Sequence, residues 1–525
     1  MPSNNGRVEK VNRAKYEGPM NLESEIIVTY KPSGLKMHRS SPDDWGWVEW
    51  LEEKLSKKLF LFQRLDLGTS GLALIARTER AAQEWTSRLQ NKILRKTYFL
   101  ISTTSQSITG WHKVESHIIK EKGVWINKPH LPPNSETEFE FIERHGDYQL
   151  WKAYPKTGKA HQIRLHAQQL GIPLLGDPDH GGEPFYRLCL HALRLDDPAS
   201  QQTWTANPPP FFENLRLLEQ PDLCALLDAY HQREELKKMG LLNSDSYRLA
   251  HQECHTLRID QFGPQLWAYD YHHPDSKKLV QSFLEIIEDK PTYIREMKNR
   301  GNQPNESSLV PLHSPSQRWV AKENELFFQL RADQGLSPGL FLDQRENRSW
   351  VFKNSHQKKV LNLFSYTCGF SVAAAAGGAN EVVSVDVSST FLDWGKTNFS
   401  LNRLDPGHYE FWSSDVIDFL KRTAKMGRSF DLIVCDPPSF GRSKRGVFKI
   451  EKDLSELVAL IFPLLNLNGH LLLSLNYEQW TKSEFERTAT KNLQPRSYNQ
   501  CEPPKPGLDF LEKTPILKTV LIKKI

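Results

Sequence analysis

The chain has 525 residues, 38% apolar and 25% charged, with 29 Gly and 32 Pro. That balance excludes collagen-like, low-complexity and wholly disordered chains, and at about 150 residues per domain it predicts three or four domains. A net charge of +5 permits a polyanionic partner without requiring one.

The first 18 residues, MPSNNGRVEKVNRAKYEG, contain no apolar core of a signal peptide. The longest apolar run, LVALIFPLLNL at 457–467, falls short of the roughly 20 residues that cross a bilayer. A soluble, cytoplasmic protein without membrane association is expected. The six cysteines (189, 224, 254, 368, 435 and 501) form no CxxC pair, which argues against a zinc site or a disulfide framework.

In chain order, residues 22–228 read as mixed strands and helices. A helix with charged turns is predicted over 223–239, and GLLNSDS ends it. Next come the strand-like stretches TLRIDQF, QLWAYDY and ELFFQLR around a helix, KLVQSFLEIIE, with a polar loop at 298–308. From Lys359 short apolar strands (VLNLF, VVSVD, FDLIVCD, HLLLSL, TVLIKK) alternate with helices, the pattern of a parallel, doubly wound sheet. The predicted domains are 1–232, a small α+β module at 240–335, and an α/β domain at 336–525.

The densest N-terminal signal is QRLDLGTSGL (63–72), which sets Arg64 and Asp66 in a Thr/Ser/Gly loop before an apolar strand. Alone, Arg-x-Asp reads as a structural ion pair. The segment GKAHQIRLH (158–166) gathers His161, Gln162 and Arg164, and KPSGL (31–35) is a lysine-bearing turn. Lys96-Thr97-Tyr98 and LCLHA (188–192) complete the set.

In this order the segments resemble RluA-type pseudouridine synthases, over about residues 20–215. The resemblance implies an α+β, mixed-sheet synthase fold that needs no cofactor. It implies Asp66 as the carboxylate that initiates glycosidic cleavage, Arg164 as its partner, and Tyr98 as the ring that stacks on an extruded base. Arg64, His161 and Gln162 are expected to contact RNA. Gln63 and Lys159-Ala160 stand where the family usually has His and Arg-Thr.

In the C-terminal half, VLNLF runs into Ser365-Tyr366-Thr367-Cys368-Gly369, a small-residue turn before an alanine-rich helix. Asp386 ends the next strand, Asp415 follows a further β segment, and FDLIVC ends in Asp436-Pro437-Pro438. These positions lie at the carboxyl ends of predicted strands, where open α/β sheets bind ligands. Singly, Asp386 and Asp415 read as helix caps and DPP as a turn.

Together they resemble class I S-adenosylmethionine methyltransferases with a Rossmann-like fold, and most closely the RlmK/RlmI group of rRNA methyltransferases, over 245–525. The resemblance implies S-adenosylmethionine as cofactor, held by Phe364, Ser365, Tyr366, Thr367, Gly369, Asp386 and Asp415. It places Asp436, Pro437 and Pro438 at the target base. Cys368 stands where many relatives have Gly. Methylation of cytosine carbon 5 needs a cysteine after HLLLSL, where this chain has Leu475-Asn476-Tyr477, so a guanine nitrogen is the expected target.

Arg442, Lys444 and Arg445, beside Phe440 and Phe448, suit phosphate contact and base stacking. A bifunctional RNA-modifying enzyme is expected, acting on large-subunit (23S) rRNA or an assembly intermediate. Three alternatives remain open from sequence: a single working domain with the other gripping RNA, methylation of cytosine carbon 5, and a non-enzymatic RNA chaperone or ribosome-assembly factor.

Overall fold

A computed structural model describes residues 24–40, 46–104, 107–128, 130–254, 256–297, 309–335, 337–443, 446–510 and 516–525. The chain divides into two compact units, Met1–Asn243 and Ser244–Ile525. Among the described residues, no helix is long and apolar enough to cross a membrane. The loop expected over 298–308 lies outside the described residues.

The N-terminal unit is built on strands β1 (Ile26–Lys31), β2 (Ser70–Ala76), β3 (Arg95–Thr103), β4 (Trp111–Ser116), β5 (Ile118–Glu121), β6 (Val124–Asn127), β7 (Ser135–His145), β8 (Tyr148–Pro155), β9 (Leu190–Asp197) and β10 (Gln202–Thr205). β1-β2-β9-β3-β8-β7-β4 form one sheet, with β10 on β9 and β5–β6 as a separate hairpin. The sheet is mixed: β2 runs parallel to β9, and the other pairs are antiparallel. β2 is buried along its whole length, which its uninterrupted sequence SGLALIA requires. Helix Gln162–Leu170 packs on the sheet through Ile163 and Ala167, against Leu100, Phe139 and Trp151. The helix predicted over 223–239 spans Pro221–Lys238, with proline in its first turn and two lysines in its last.

The C-terminal unit begins with a five-stranded sheet: β11 (Ser246–Ala250), β12 (Leu257–Phe262), β13 (Gln265–Asp270), β14 (Thr292–Glu296) and β15 (Leu309–Leu312). The hairpin β16 (Arg318–Glu323) and β17 (Leu326–Arg331) follows. The large sheet uses β18 (Lys359–Leu363), β19 (Glu381–Asp386), β20 (Glu410–Ser413) and β21 (Phe430–Cys435). After the hairpin β22 (Phe440–Ser443) and β23 (Gly446–Lys449) it continues with β24 (Leu465–Asn476), β25 (Tyr498–Cys501) and β26 (Leu517–Lys524). Its order is β20-β19-β18-β21-β24-β26-β25. The first five strands are parallel, and β26 is antiparallel to β24. Helices cover both faces, so the strands read as continuous apolar runs.

The small module and the large sheet share one core. Phe262, Trp267, Trp319 and Phe328 pack with Leu340, Val351, Val360 and Leu432. Helix Ser389–Leu401 closes the exposed edge of β17. Asn398 Oδ1 accepts from Gln329 N (2.9 Å), Trp394 Nε1 donates to Gln329 O (3.0 Å), and Asn402 bonds both backbone groups of Phe327.

Two candidate active sites

In the N-terminal unit the separate sequence motifs meet at one loop. Asp66 sits just before β2, and its carbonyl accepts from Thr69 N (3.1 Å). Lys31 is fully buried and donates to the carbonyls of Pro32 (2.8 Å), Leu67 (3.2 Å) and Thr69 (2.8 Å). Burial, with the Arg187 charge nearby, lowers its ammonium to about 7, and Asp66 pulls it partly back. Ser33 Oγ donates to Gly68 O (2.8 Å). Gly71 has φ +108°, and a Cβ there would meet Ala192 O at 2.4 Å. Behind the loop, Arg187 donates to Ser70 Oγ (2.7 Å) and to both oxygens of Asp228 (3.0 Å each). The QRLDLGTSGL loop is therefore clamped by the KPSGL turn on one side and the LCLHA strand on the other.

Arg164 points Nη1 at Asp66 Oδ2, 3.7 Å away. Its tighter partner is Asp177, taken side-on by Nε and Nη2 at 2.6 Å each. The guanidinium thus takes Asp177 bidentate and Asp66 end-on, with the exposed Asp179 further off at 4.0 Å. Burial alone would raise the Asp177 carboxyl; the bonds from Arg164 and from His180 Nδ1 (2.9 Å) outweigh it and hold it at about 2. Sequence reasoning missed Asp177. Its only signal is a GDPDH turn 13 residues after Arg164.

Tyr98 is half-buried on β3, beside a register shift in the β3–β9 pairing. Burial and then the Asp66 charge push its phenol up. His161 has a left-handed φ of 55°, packs edge-on to His180 at 5.3 Å, and feels the Asp66 charge. Arg64 is exposed.

Gln162 is a correction. It is buried, and its amide is fully engaged: Oε1 accepts from Thr157 Oγ1 (2.7 Å) and Lys159 N (3.0 Å), and Nε2 donates to Glu136 O (2.8 Å) and Thr137 Oγ1 (2.9 Å). It clamps the strand-to-helix turn and has no group left for RNA.

In the C-terminal unit, Phe364, Tyr366 and Cys368 have φ of 56°, 48° and 63°, alternating with residues outside the left-handed region. Three non-glycine residues in that region cost about 1–3 kcal/mol each, and the loop is fixed by its own bonds, Ser365 N to Val385 O (3.0 Å) and Cys368 N to Ser365 O (2.7 Å). Asp386 braces the loop: its carboxylate accepts from Tyr366 N and Ser388 N, both at 2.9 Å. Burial raises its pKa, and these backbone bonds oppose the rise. A carboxylate has about four acceptor positions, so capacity remains for a ribose diol.

Val387, exposed to 59%, adds an apolar surface beside it for a purine ring. Gly369 starts helix Gly369–Ala376, and Thr367 Oγ1 donates to Gly339 O (2.6 Å). Ser365 is buried, and its backbone N–H bonds Val385 O (3.0 Å). Asp386 at the end of β19, with the exposed apolar Val387 beside it, fits the ribose and adenine of S-adenosylmethionine.

Cys368 is fully buried and does not line this surface. Its Sγ occupies the space beside Gly395, where a Cβ would lie 2.3 Å from the sulfur. Asp415 caps helix Val416–Lys425 through Oδ1 to Ile417 N (3.0 Å) and Asp418 N (3.3 Å). That role ties down one of its oxygens.

Asp436 follows β21, with Pro437 buried and Pro438 exposed. Ser474 Oγ donates to Asp436 Oδ1 (2.8 Å). Burial pushes this carboxyl up to about 7; the Ser474 bond opposes the rise and the nearby Asp343 adds to it. Phe448 packs against Phe364 at 6.0 Å. Arg442 lies on β22, whereas Lys444 and Arg445 lie outside the described residues. The basic loop expected here is a hairpin, β22–β23.

The Asp436 shift sets a pH dependence. Between about pH 4 and 7 the unfolded chain has lost this proton while the folded unit keeps it. Stability of the C-terminal unit therefore falls as pH rises through that window, by at most about 1.4 kcal/mol per pH unit. Asp436→Asn is expected to flatten the fall. Urea midpoints at pH 5 and pH 8 for both proteins check this.

Comparison with known proteins matches residues 25–169 to the RNA pseudouridylate synthase family and 299–504 to the S-adenosylmethionine-dependent methyltransferase family. The chain thus carries one stretch similar to each family. Its C-terminal half is 37% identical over 211 residues to ribosomal RNA large subunit methyltransferase K of Neisseria meningitidis, covering 39% of this chain and 59% of that relative. It is 33% identical over 308 residues to ribosomal RNA large subunit methyltransferase K/L of Shewanella pealeana, covering 54% and 41%. The chain thus spans between about two fifths and three fifths of the length of these relatives. Among solved structures, SMU.776 complexed with SAH superposes with a TM-score of 0.51 at 25% identity, covering 57% of this chain and 82% of that one. The match to the first family lies on the mixed sheet of the N-terminal unit, and the match to the second on the end of the small module and the large sheet.

Proposed function

We propose that the chain is a bifunctional RNA-modifying enzyme that isomerises uridine to pseudouridine and methylates a guanine nitrogen, both in large-subunit rRNA. It is proposed to work in the cytoplasm, on free rRNA or an assembly intermediate. The observation that carries this is the pair of chemically complete carboxylate sites, Asp66 and Asp436, one in each unit.

In the synthase half Asp66 supplies the carboxylate, Arg164 holds it oriented through its second tie to Asp177, and Tyr98 offers a ring to the extruded base. Isomerisation breaks the bond from N1 to the ribose, rejoins the ribose at carbon 5, releases the carbon 5 hydrogen as a proton, and leaves N1 to take up a proton in place of the ribose. Atoms balance without a cofactor.

In the other half S-adenosylmethionine, when bound, supplies an electrophilic methyl group. Asp436 sits at the end of β21, where it can orient a base, and Asp386 and the 364–369 loop hold the cofactor. Asn476, not cysteine, ends β24. Cys435 is fully buried, with its thiol pushed well above its ordinary value, which leaves it unable to serve as a nucleophile. Both facts favour a nitrogen that attacks with its own lone pair over cytosine carbon 5.

Nucleoside mass mapping of rRNA from cells lacking this protein tests the assignment. One pseudouridine and one methylguanosine are expected to be missing; retention of every mark would overturn it.

A further inference from the structure

Around Asp436 the side chains of β24 and of the 341–344 turn are linked by hydrogen bonds. Ser474 and Asn476 are two residues apart on β24 and so point to the same face at its carboxyl end. Ser474 holds Asp436, while Asn476 Nδ2 donates to Asp343 Oδ2 (3.3 Å). Gln344, next in sequence to Asp343, donates Nε2–H to Ser474 Oγ (2.9 Å) and accepts from Asn347 Nδ2 (2.7 Å). The 342–344 turn thus lies along the strand end and brings Asp343 close enough to Asp436 for their charges to interact. Arg248 and Arg348 are the cations that face Asp343. Asp343 is only partly buried.

Two residues earlier, the Phe341 ring is 49% exposed. Its backbone is fixed: Arg348 Nη2 donates to Phe341 O (2.7 Å), and Arg348 is itself held by Glu323 (2.6 and 2.5 Å). The ring lies 5.4 Å from Tyr366 of the cofactor loop. An exposed aromatic ring on a fixed backbone, beside the cofactor loop and two residues before Asp343, suits a stacking platform with a polar edge reader next to it.

We propose that the methyl-accepting base stacks on Phe341 and turns its N–H edge to Asp343, so that these two positioning residues select guanine. This rests on the guanine-methylating reading of the same site. Guanine offers N1–H and the N2 amino group side by side, and one carboxylate accepts from both. Adenine N1 and cytosine N3 would set a lone pair against the carboxylate and be repelled. A site built on such an edge discriminates strongly against bases that lack it.

The test uses the full chain, S-adenosylmethionine alone in calorimetric titration, and methyl transfer to large-subunit rRNA from cells lacking this protein. Phe341→Ala is expected to raise KM for rRNA about 10-fold, the scale of one lost stacking contact, with cofactor Kd changed less than about 2-fold. Phe341→Trp is expected to restore KM. Asp343→Asn is expected to lower kcat/KM at least about 10-fold, again with cofactor Kd unmoved. Methylation by the parent with no KM change in Phe341→Ala, or no rescue by Trp, overturns this inference alone. A parallel loss of cofactor affinity also overturns it, because Phe341 would then serve the cofactor. A parent chain that neither binds the cofactor nor methylates brings down the functional reading itself.

Discussion

Asp66→Asn is expected to lower pseudouridine formation by at least about 10^4-fold, the scale on which enzymes lose rate when a nucleophile is removed. An amide of the same shape keeps the loop packed but cannot act as the ionised carboxylate. The fold around it should survive, because Arg164 retains both bonds to Asp177 and the loop carbonyls retain Lys31. Methyl transfer should be unchanged, since the cofactor loop and Asp436 belong to the other unit. Release of tritium from rRNA labelled at uridine carbon 5 measures the loss directly, because carbon 5 gives up its hydrogen. More than about 1% residual release, against the expected loss, would place the catalytic group elsewhere.

The second large effect is on stability. Asp509 is fully buried, accepts from Arg345 Nη1 (2.9 Å) and Nη2, and accepts from the backbone of Arg248 (2.9 Å). It therefore joins β11 of the small module to helix Arg345–Asn354. Asp509→Ala would take from the buried Arg345 guanidinium its bidentate partner and leave Glu346, 3.5 Å from Nε, as the remaining carboxylate, which costs about 3 kcal/mol, the low end for a broken buried pair. For a unit of this size that lowers the melting temperature by roughly 10 °C. Calorimetry should show the drop in the transition of the C-terminal unit, with that of the N-terminal unit unmoved. A shift below about 3 °C would mean the pair contributes less than the usual cost of breaking a buried ion pair.

How much of this was legible in the sequence depended on where the information lay. The parallel strands could be read because strands buried on both faces must be apolar throughout, as VLNLF and FDLIVC are. The hairpin at 440–449 could not, because its Arg, Lys and Gly residues read as a basic RNA-contacting loop until backbone pairing is seen. Asp66 and Arg164 were legible as members of short motifs. Asp177 was not, since nothing in a GDPDH turn announces that it takes both donors of an arginine 13 residues away.

Gln162 was misread for the opposite reason. A polar residue in a basic motif looks available, and only the geometry reveals four bonds already made. Cys368 looked like an intrusion into the cofactor loop. Gly395, 27 residues on, removes the conflict by leaving room for the sulfur, a compensation visible only once the helix is packed.

The presence of two independent active sites is tested most directly by one combined measurement. The full chain is titrated calorimetrically with S-adenosylmethionine, and large-subunit rRNA from cells lacking this protein is then incubated with it, with and without the cofactor, before nucleoside mass spectrometry. Cofactor binding, a new methylguanosine only when cofactor is present, and pseudouridine in both incubations are expected. Pseudouridine that forms without any cofactor binding or methylation would contradict two active sites and leave the C-terminal half as an RNA-binding platform.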